Sequence, residues 1–413
     1  SKLITLIITK FLLLDSDNLG IMYEADKPGW NDALNGLPGI FGSGIGEMME
    51  LHRLVKYVSK VYHKDIKVIS PLKTLLQKMS QTDLTNFNNR MTLIEAYREN
   101  LDDITLESVD QSMIKQVLKD VEDILSKSFE VIKEEPIIPT YRYYEVMEYQ
   151  SLGEVSELGE KVLPLTYQGT FISPFLEGPA RSLKLLTKEE AQKRHQAVKA
   201  SELYDLELKM YKTSVNLEHY SDDLGRIRMF TKGWLERESN FLHMTYKYLY
   251  GLLKAGLYDT FYEEIKTNFT CFMDQEVYGR SVLENSSFIA TSNNPDPKNH
   301  GRGFVSRLSG STAELLSMYT YLFLGHTPFR YKEGLELTFK PILHKDLFKD
   351  GIVETKFYNT MITYHSKDTI YDCEPKWMEV IYEGKSYKMG SYLDETWAKR
   401  VRNGDALKIN VFY

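Results

Sequence analysis

Cysteine is nearly absent. Cys271 and Cys373 lie about a hundred residues apart, which gives neither a disulfide framework nor a paired-cysteine metal motif. A reducing cytoplasm is the expected compartment. Basic charge is also short: 51 Lys and Arg face 58 Asp and Glu, a formal net charge of −7, so no cationic excess is available for a phosphate backbone. Nucleic acid is therefore not an expected partner. Long apolar runs are missing too. The opening stretch from Leu3 to Leu14 contains Lys10, is too short to cross a bilayer and lacks a small-residue cleavage site, so it reads as buried core and no membrane partner is expected. The nine histidines are scattered without a metal-ligand spacing, and no metal is expected. The chain begins at Ser1, already inside the apolar run and without an initiator Met, as expected of a sequence cut from a longer one.

What is present is an ordinary globular composition, 42% hydrophobic and 26% charged over 413 residues, enough for two or three cores. Aromatic residues make up 12%, with 28 Tyr. Such rings offer a flat apolar face and a polar edge to a sugar, but serve equally well in a core.

Apolar residues at helical spacing predict amphipathic helices over Glu47 to Tyr62, Val109 to Glu134 and Leu242 to Lys266, with a fourth starting after Ser309 and running to about Leu324. After Pro328 the pattern changes. Short segments rich in β-branched and aromatic residues, around Leu335 to Phe339, Ile352 to Tyr358, Met361 to His365, Trp377 to Tyr382 and Leu407 to Tyr413, predict strands separated by turns such as Glu383-Gly384-Lys385. The expected organisation is a helical region over residues 1–330 and a small antiparallel β domain over 331–413. Three loops rich in Gly, Pro, Asn and Asp interrupt it, at Asp26 to Gly46, Tyr167 to Arg181 and Asn293 to Ser311, and long structured loops are where function commonly sits.

The first loop carries Gly29-Trp30-Asn31-Asp32. A carboxyl beside an apolar ring that a sugar can stack on is the arrangement of a general acid, because partial burial keeps it protonated. Helix capping by Asp32 is the structural alternative. The second site, Glu236-Arg237-Glu238-Ser239-Asn240-Phe241-Leu242-His243, leads into a helix, so His243 stands where N–H groups and the helix dipole favour an anion. The third, Leu308-Ser309-Gly310-Ser311-Thr312-Ala313, also opens a helix. There Ser309 and Gly310 offer hydroxyl and backbone donors to a phosphate, and capping is again the alternative.

In order and approximate spacing these three motifs resemble glycoside hydrolase family 94, the cellobiose and chitobiose phosphorylases. The wording from Lys27 to Gly39, Leu283 to Ile289 and Asn294-Pro295-Asp296-Pro297 is closest to its 1,2-β-oligoglucan phosphorylases. The resemblance runs over almost the whole chain and implies a mostly α then β fold, the C-terminal part of an (α/α)₆ barrel followed by an antiparallel β-sandwich domain. It implies Asp32 as the catalytic acid, Trp30 and Asn31 at the sugar subsite, and His243, Ser309 and Gly310 on phosphate. Where the cellobiose enzymes read Glu-Asn-Gly-Gly this chain has Glu236-Arg237-Glu238-Ser239, so only Glu236 carries over as a substrate contact. Ser309 stands where Thr is usual and retains the hydroxyl.

The implied reaction is inverting, reversible phosphorolysis of β-linked gluco-oligosaccharides, β-1,2 by the closest wording, to α-glucose 1-phosphate and a shortened glucan. Phosphate is a co-substrate and no cofactor is called for. An inverting hydrolase needs a second carboxylate to activate water, but phosphate is already an anionic nucleophile. The family's enzymes place a β domain, a linker and the first barrel helices before the acid loop, so this chain is expected to be a partial barrel and by itself a poor catalyst. A homodimer is the expected assembly of the full-length enzyme. Three other readings stand beside this one: an inverting hydrolase with Glu236, Glu238 or Glu284 as base, a non-catalytic carbohydrate-binding fragment, and a phosphorolytic module of a cyclic glucan synthase.

Overall fold

A computed structural model describes residues 1–24, 27, 29–305 and 309–413. Two compact units divide the chain, Ser1–Ala255 with Ile265–Leu308, and Gly256–Glu264 with Ser309–Tyr413. Helices dominate the first and strands the second, the order that the sequence predicts.

The opening apolar run forms the helix Lys2–Leu12, with Ile4, Ile7, Ile8 and Phe11 buried at helical spacing. It packs into one core with the helices Ile45–Val61, Ser70–Met79, Phe87–Glu99 and Gln111–Ile132, through residues such as Met48, Val55, Leu76, Ile94, Val121 and Leu125. Their N-termini follow from local chemistry. Asp110 accepts the Ser112 N–H, Asn86 accepts the Asn89 N–H, and Pro71 occupies the first turn of its helix.

Three features of this unit depart from expectation. The helix predicted over Leu242 to Lys266 is two helices, Leu242–Lys254 and Tyr258–Asn268, because Gly256 between them takes φ +76° and ends the first. Residues 141–171 form a long antiparallel hairpin, Tyr141–Ser156 with Gly159–Phe171, where no strand was predicted. Its base is buried through Tyr141, Arg142 and Tyr144, and Arg142 pairs with Asp17 at 2.7 Å. The loop predicted from Tyr167 to Arg181 is instead the end of this hairpin followed by a short helix, Glu177–Ser182.

A small three-stranded ladder joins distant parts of the sequence. Phe288–Ile289 pairs antiparallel with both Asn240–Phe241 and Gly303–Phe304, so that Phe241, Phe288 and Phe304 fall in register.

In the second unit a five-stranded sheet runs in the order Ile352–Phe357, Thr360–His365, Lys408–Phe412, Trp377–Tyr382, Lys385–Met389. The Glu383-Gly384 turn closes the last two strands, both residues taking positive φ as a tight hairpin requires. The sheet was expected to be antiparallel throughout, but Thr360–His365 pairs with Lys408–Phe412 in parallel. Parallel neighbours need a long connection, which residues 366–407 supply, including the helix Glu395–Asn403 capped by Asp394. Leu337, Phe339, Ile362, Tyr364, Met378, Val380, Ile409 and Val411 form its core. The helix Ser309–Leu324 falls in this unit. Among the described residues no helix is long and apolar enough to cross a membrane.

Candidate functional site

Ala25, Asp26 and Pro28, within the first sequence loop, lie outside the described residues. Beyond them, the Asn31 side chain accepts the Ala33 N–H at 3.1 Å and caps the short 3₁₀ turn Asp32–Leu34. The capping role thus falls to Asn31, and the Asp32 side chain is left 71% exposed with Arg226 at 3.5 Å. Ala33, Leu34 and Leu37 anchor the turn in a small core with Leu217, Leu224 and Ile227. Gly36 donates its N–H to the Leu224 carbonyl at 3.2 Å, and a Cβ there would meet the Asp223 carbonyl oxygen at 1.9 Å. Close backbone approach therefore clamps the acid loop onto residues 217–230.

Trp30, 39% exposed, stacks on Phe241 with ring centroids 5.5 Å apart and 28° between planes. The stack continues through Phe288 to Phe304 and Trp234, the last pair 3.5 Å apart and nearly coplanar. His243, second residue of the helix Leu242–Lys254, stands edge-on to Phe241 at 5.8 Å. The first two motifs are therefore brought to one place, with Phe241 between the acid loop and the histidine.

A buried polar centre unseen in the sequence lies at Trp30. Glu177, 2% exposed, accepts the Trp30 indole N–H at 2.8 Å, the Tyr141 hydroxyl at 2.9 Å and the Arg181 guanidinium at 2.8 Å. Half-buried Glu47 shares this centre and receives the Tyr23 hydroxyl at 3.3 Å. Burial, and then the charge of Glu177, push its carboxyl up to about 7, against the lowering effects of its own N–H, Arg181 and Tyr23. Burial, then Glu47 and Glu177, also push the Tyr23 hydroxyl far up. A Cβ at Gly44 would lie 1.9 Å from a Glu47 oxygen, so a side chain there would displace this carboxyl.

Glu236 is half-buried, and its carboxyl is pushed up by burial and by the charge of Asp32, while its own N–H and Arg226 pull it down. A second carboxyl is thus electrostatically coupled to Asp32. Glu238 is buried in a positive-φ backbone and accepts the Asn293 amide at 2.6 Å. Ser309 and Gly310 open the helix Ser309–Leu324, and the Ser309 side chain, with residues 306–308, lies outside the described residues.

Comparison with known proteins supplies no identity at this point. No protein-family model matches the chain, and no curated protein does. Among the described residues no group of three or more His, Cys, Asp or Glu side chains is arranged to hold a metal ion. The arrangement sets the exposed Asp32 carboxylate in one loop with a half-exposed ring, with Arg226 at 3.5 Å and within electrostatic reach of a second carboxyl, Glu236.

Proposed function

We propose that this chain is the C-terminal part of an inverting β-glucan phosphorylase on the plan of glycoside hydrolase family 94. In this reading residues 1–330 belong to an (α/α)₆ barrel and 331–413 to a β-sandwich domain, in a cytoplasmic enzyme that works as a homodimer. The observation that carries the reading is the stacking of Trp30 on Phe241, two residues before His243. It draws the proton donor's loop and an anion-favouring helix start to one ring stack, the pairing that phosphorolysis needs.

The terminal sugar of a β-linked, most specifically β-1,2, gluco-oligosaccharide rests against Trp30, while buried Asn31 holds the turn beneath it. Asp32 gives its proton to the glycosidic oxygen as that bond breaks. Inorganic phosphate, held by His243, attacks the anomeric carbon from the opposite face. The products are α-glucose 1-phosphate and a glucan one unit shorter, and the same groups run the reaction in reverse.

Replacing Asp32 with Asn removes the proton and retains the shape. In the full-length protein, Asp32→Asn should lower phosphorolysis, read as α-glucose 1-phosphate release, by about 10²–10⁴-fold with the melting temperature unchanged. Near-normal turnover would refute the assignment. The coupling of Glu236 to Asp32 favours a second reading, an inverting hydrolase with Glu236 as the base for water. Turnover that persists without phosphate would select it.

A further inference from the structure

The Trp30 ring is held twice. It stacks on Phe241, and its indole N–H donates to the Glu177 carboxylate at 2.8 Å. Stacking alone lets a ring slide and turn in its plane, whereas a hydrogen bond at the ring edge fixes that angle. The half-exposed ring is therefore presented in one orientation.

Glu177 is committed to this hold. One of its oxygens accepts the Trp30 indole at 2.8 Å and the Tyr141 hydroxyl at 2.9 Å, and the other accepts the Arg181 guanidinium at 2.8 Å. Indole and guanidinium N–H groups only donate, so Glu177 serves as an acceptor on both sides. Arg181 is itself shared with Glu50 at 3.1 Å. The proton of this centre thus belongs to Glu47, whose carboxyl burial and the charge of Glu177 push up to about 7.

Other titratable groups surround the pair. Tyr23 donates to Glu47, Glu50 and Arg53 follow on the same helix, and Tyr141 stands at the base of the hairpin. Arg181 and Lys184 come from the helix Glu177–Ser182 and the residues after it; Lys184 pairs with Glu50 at 3.5 Å and feels Lys247 of the helix Leu242–Lys254. The helices Lys2–Leu12 and Gln111–Ile132 contribute apolar residues to the core beside Glu47. His243 lies beyond Phe241.

We infer that Glu177 is a positioning residue for Trp30, and that ionisation of Glu47 beside it loosens the ring and weakens the binding of a neutral glucan. The inference rests on the proposed seat of the sugar against Trp30. Two carboxylates sharing one guanidinium repel each other, and the indole, at the exposed end of the network, is the part that gives way. Binding is full while Glu47 keeps its proton and falls as pH rises through about 7. The dependence enters through the sugar's seat and not through the step at Asp32.

The test follows ring and sugar separately. The Trp30 indole N–H resonance, recorded on tryptophan-labelled protein and assigned by its loss in Trp30→Phe, should move with pH through about 7. It should stay still in Glu47→Gln, which keeps the shape and removes the ionisation. In the full-length protein at saturating phosphate, the parent KM for a β-1,2-linked gluco-oligosaccharide should rise about fivefold to tenfold from pH 6 to pH 8, the scale of one charged hydrogen bond. Glu47→Gln should hold the lower value at both. Glu177→Gln should raise KM about tenfold at both, with a smaller effect on kcat, because ground and transition states use the ring alike. If Glu177→Gln fails to fold, the comparison of parent with Glu47→Gln decides. A parent whose resonance or KM ignores pH overturns the inference, as does a titration that Glu47→Gln retains, which would belong to another group such as His243. The proposed reaction fails separately: Asp32→Asn with unchanged phosphorolysis refutes the acid but leaves the dependence of Trp30 on Glu47 standing.

Discussion

Glu47, beside the charge of Glu177, makes stability depend on pH in a direction opposite to that of most acidic residues. Glu47 holds its proton up to about pH 7 in the folded chain, against an ordinary value of 4.5. The folded state therefore binds more protons than the unfolded one between those limits, and stability falls as pH rises through them. The full contribution is present below pH 4.5 and gone above 7. The difference of 2.5 units between those two values corresponds to a ceiling of roughly 3 kcal/mol. Glu47→Gln keeps the shape, can still accept the Tyr23 hydroxyl, and removes the ionisation. Denaturant unfolding of parent and variant at pH 5 and pH 8 isolates Glu47 together with the groups coupled to it, because the titrations of distant groups cancel in the difference. The variant should gain on the parent by about 2–3 kcal/mol between the two pH values. An equal difference at both would mean that Glu47 is not protonated in the fold, and the raised carboxyl would be refuted.

Glu177→Gln leaves Arg181 and the Trp30 indole short of their shared charge, and should cost about 2–4 kcal/mol of unfolding free energy, with a shift in tryptophan emission. No emission change would separate Glu177 from Trp30. Gly36→Ala drives a methyl into the Asp223 carbonyl and should destabilise by about 1–3 kcal/mol, with a larger loss of turnover than of stability as the acid loop lifts. Arg226→Gln should leave stability within about 0.5 kcal/mol, its pairing with Asp32 being exposed, while the pH profile of activity reports on Glu236.

How much of this was legible in the sequence depended on whether a signal was local. The helices Ile45–Val61 and Gln111–Ile132 announce themselves because their buried residues recur at one helical period. The strand Trp377–Tyr382 and the Glu383-Gly384 turn after it are legible for the same kind of reason, an alternating run closed by turn formers, whereas its partner Lys385–Met389 is almost wholly exposed and carries no such signal. The break at Gly256 is not, because Leu252, Leu253, Leu257, Phe261 and Ile265 continue an apolar pattern across it. The long hairpin escapes because most of Val146 to Tyr167 is exposed, so no buried face imposes an alternation. Glu177 stands 147 residues from the Trp30 that it holds, and no spacing rule reaches across that interval. What drew attention to Trp30 and His243 was loop composition and helix starts. The stacking that joins them through Phe241 depends on a ladder whose strands come from three separate segments.

The two enzymatic readings part at Glu236, and Arg226 is the lever that moves it. The cation at Arg226 lowers the Glu236 carboxyl against burial and against the charge of Asp32. Removing it disfavours the ionised form, so Glu236 takes up its proton at a higher pH. A base must be ionised to accept a proton from water, so in a hydrolase the acidic limb of the rate profile would climb with it. In a phosphorylase the nucleophile arrives already charged and Glu236 transfers no proton. The acidic limb of Arg226→Gln should then coincide with that of the parent, at saturating phosphate and at low ionic strength, where screening is weakest. A displaced limb would make Glu236 a working base and remove the need for phosphate in the reaction.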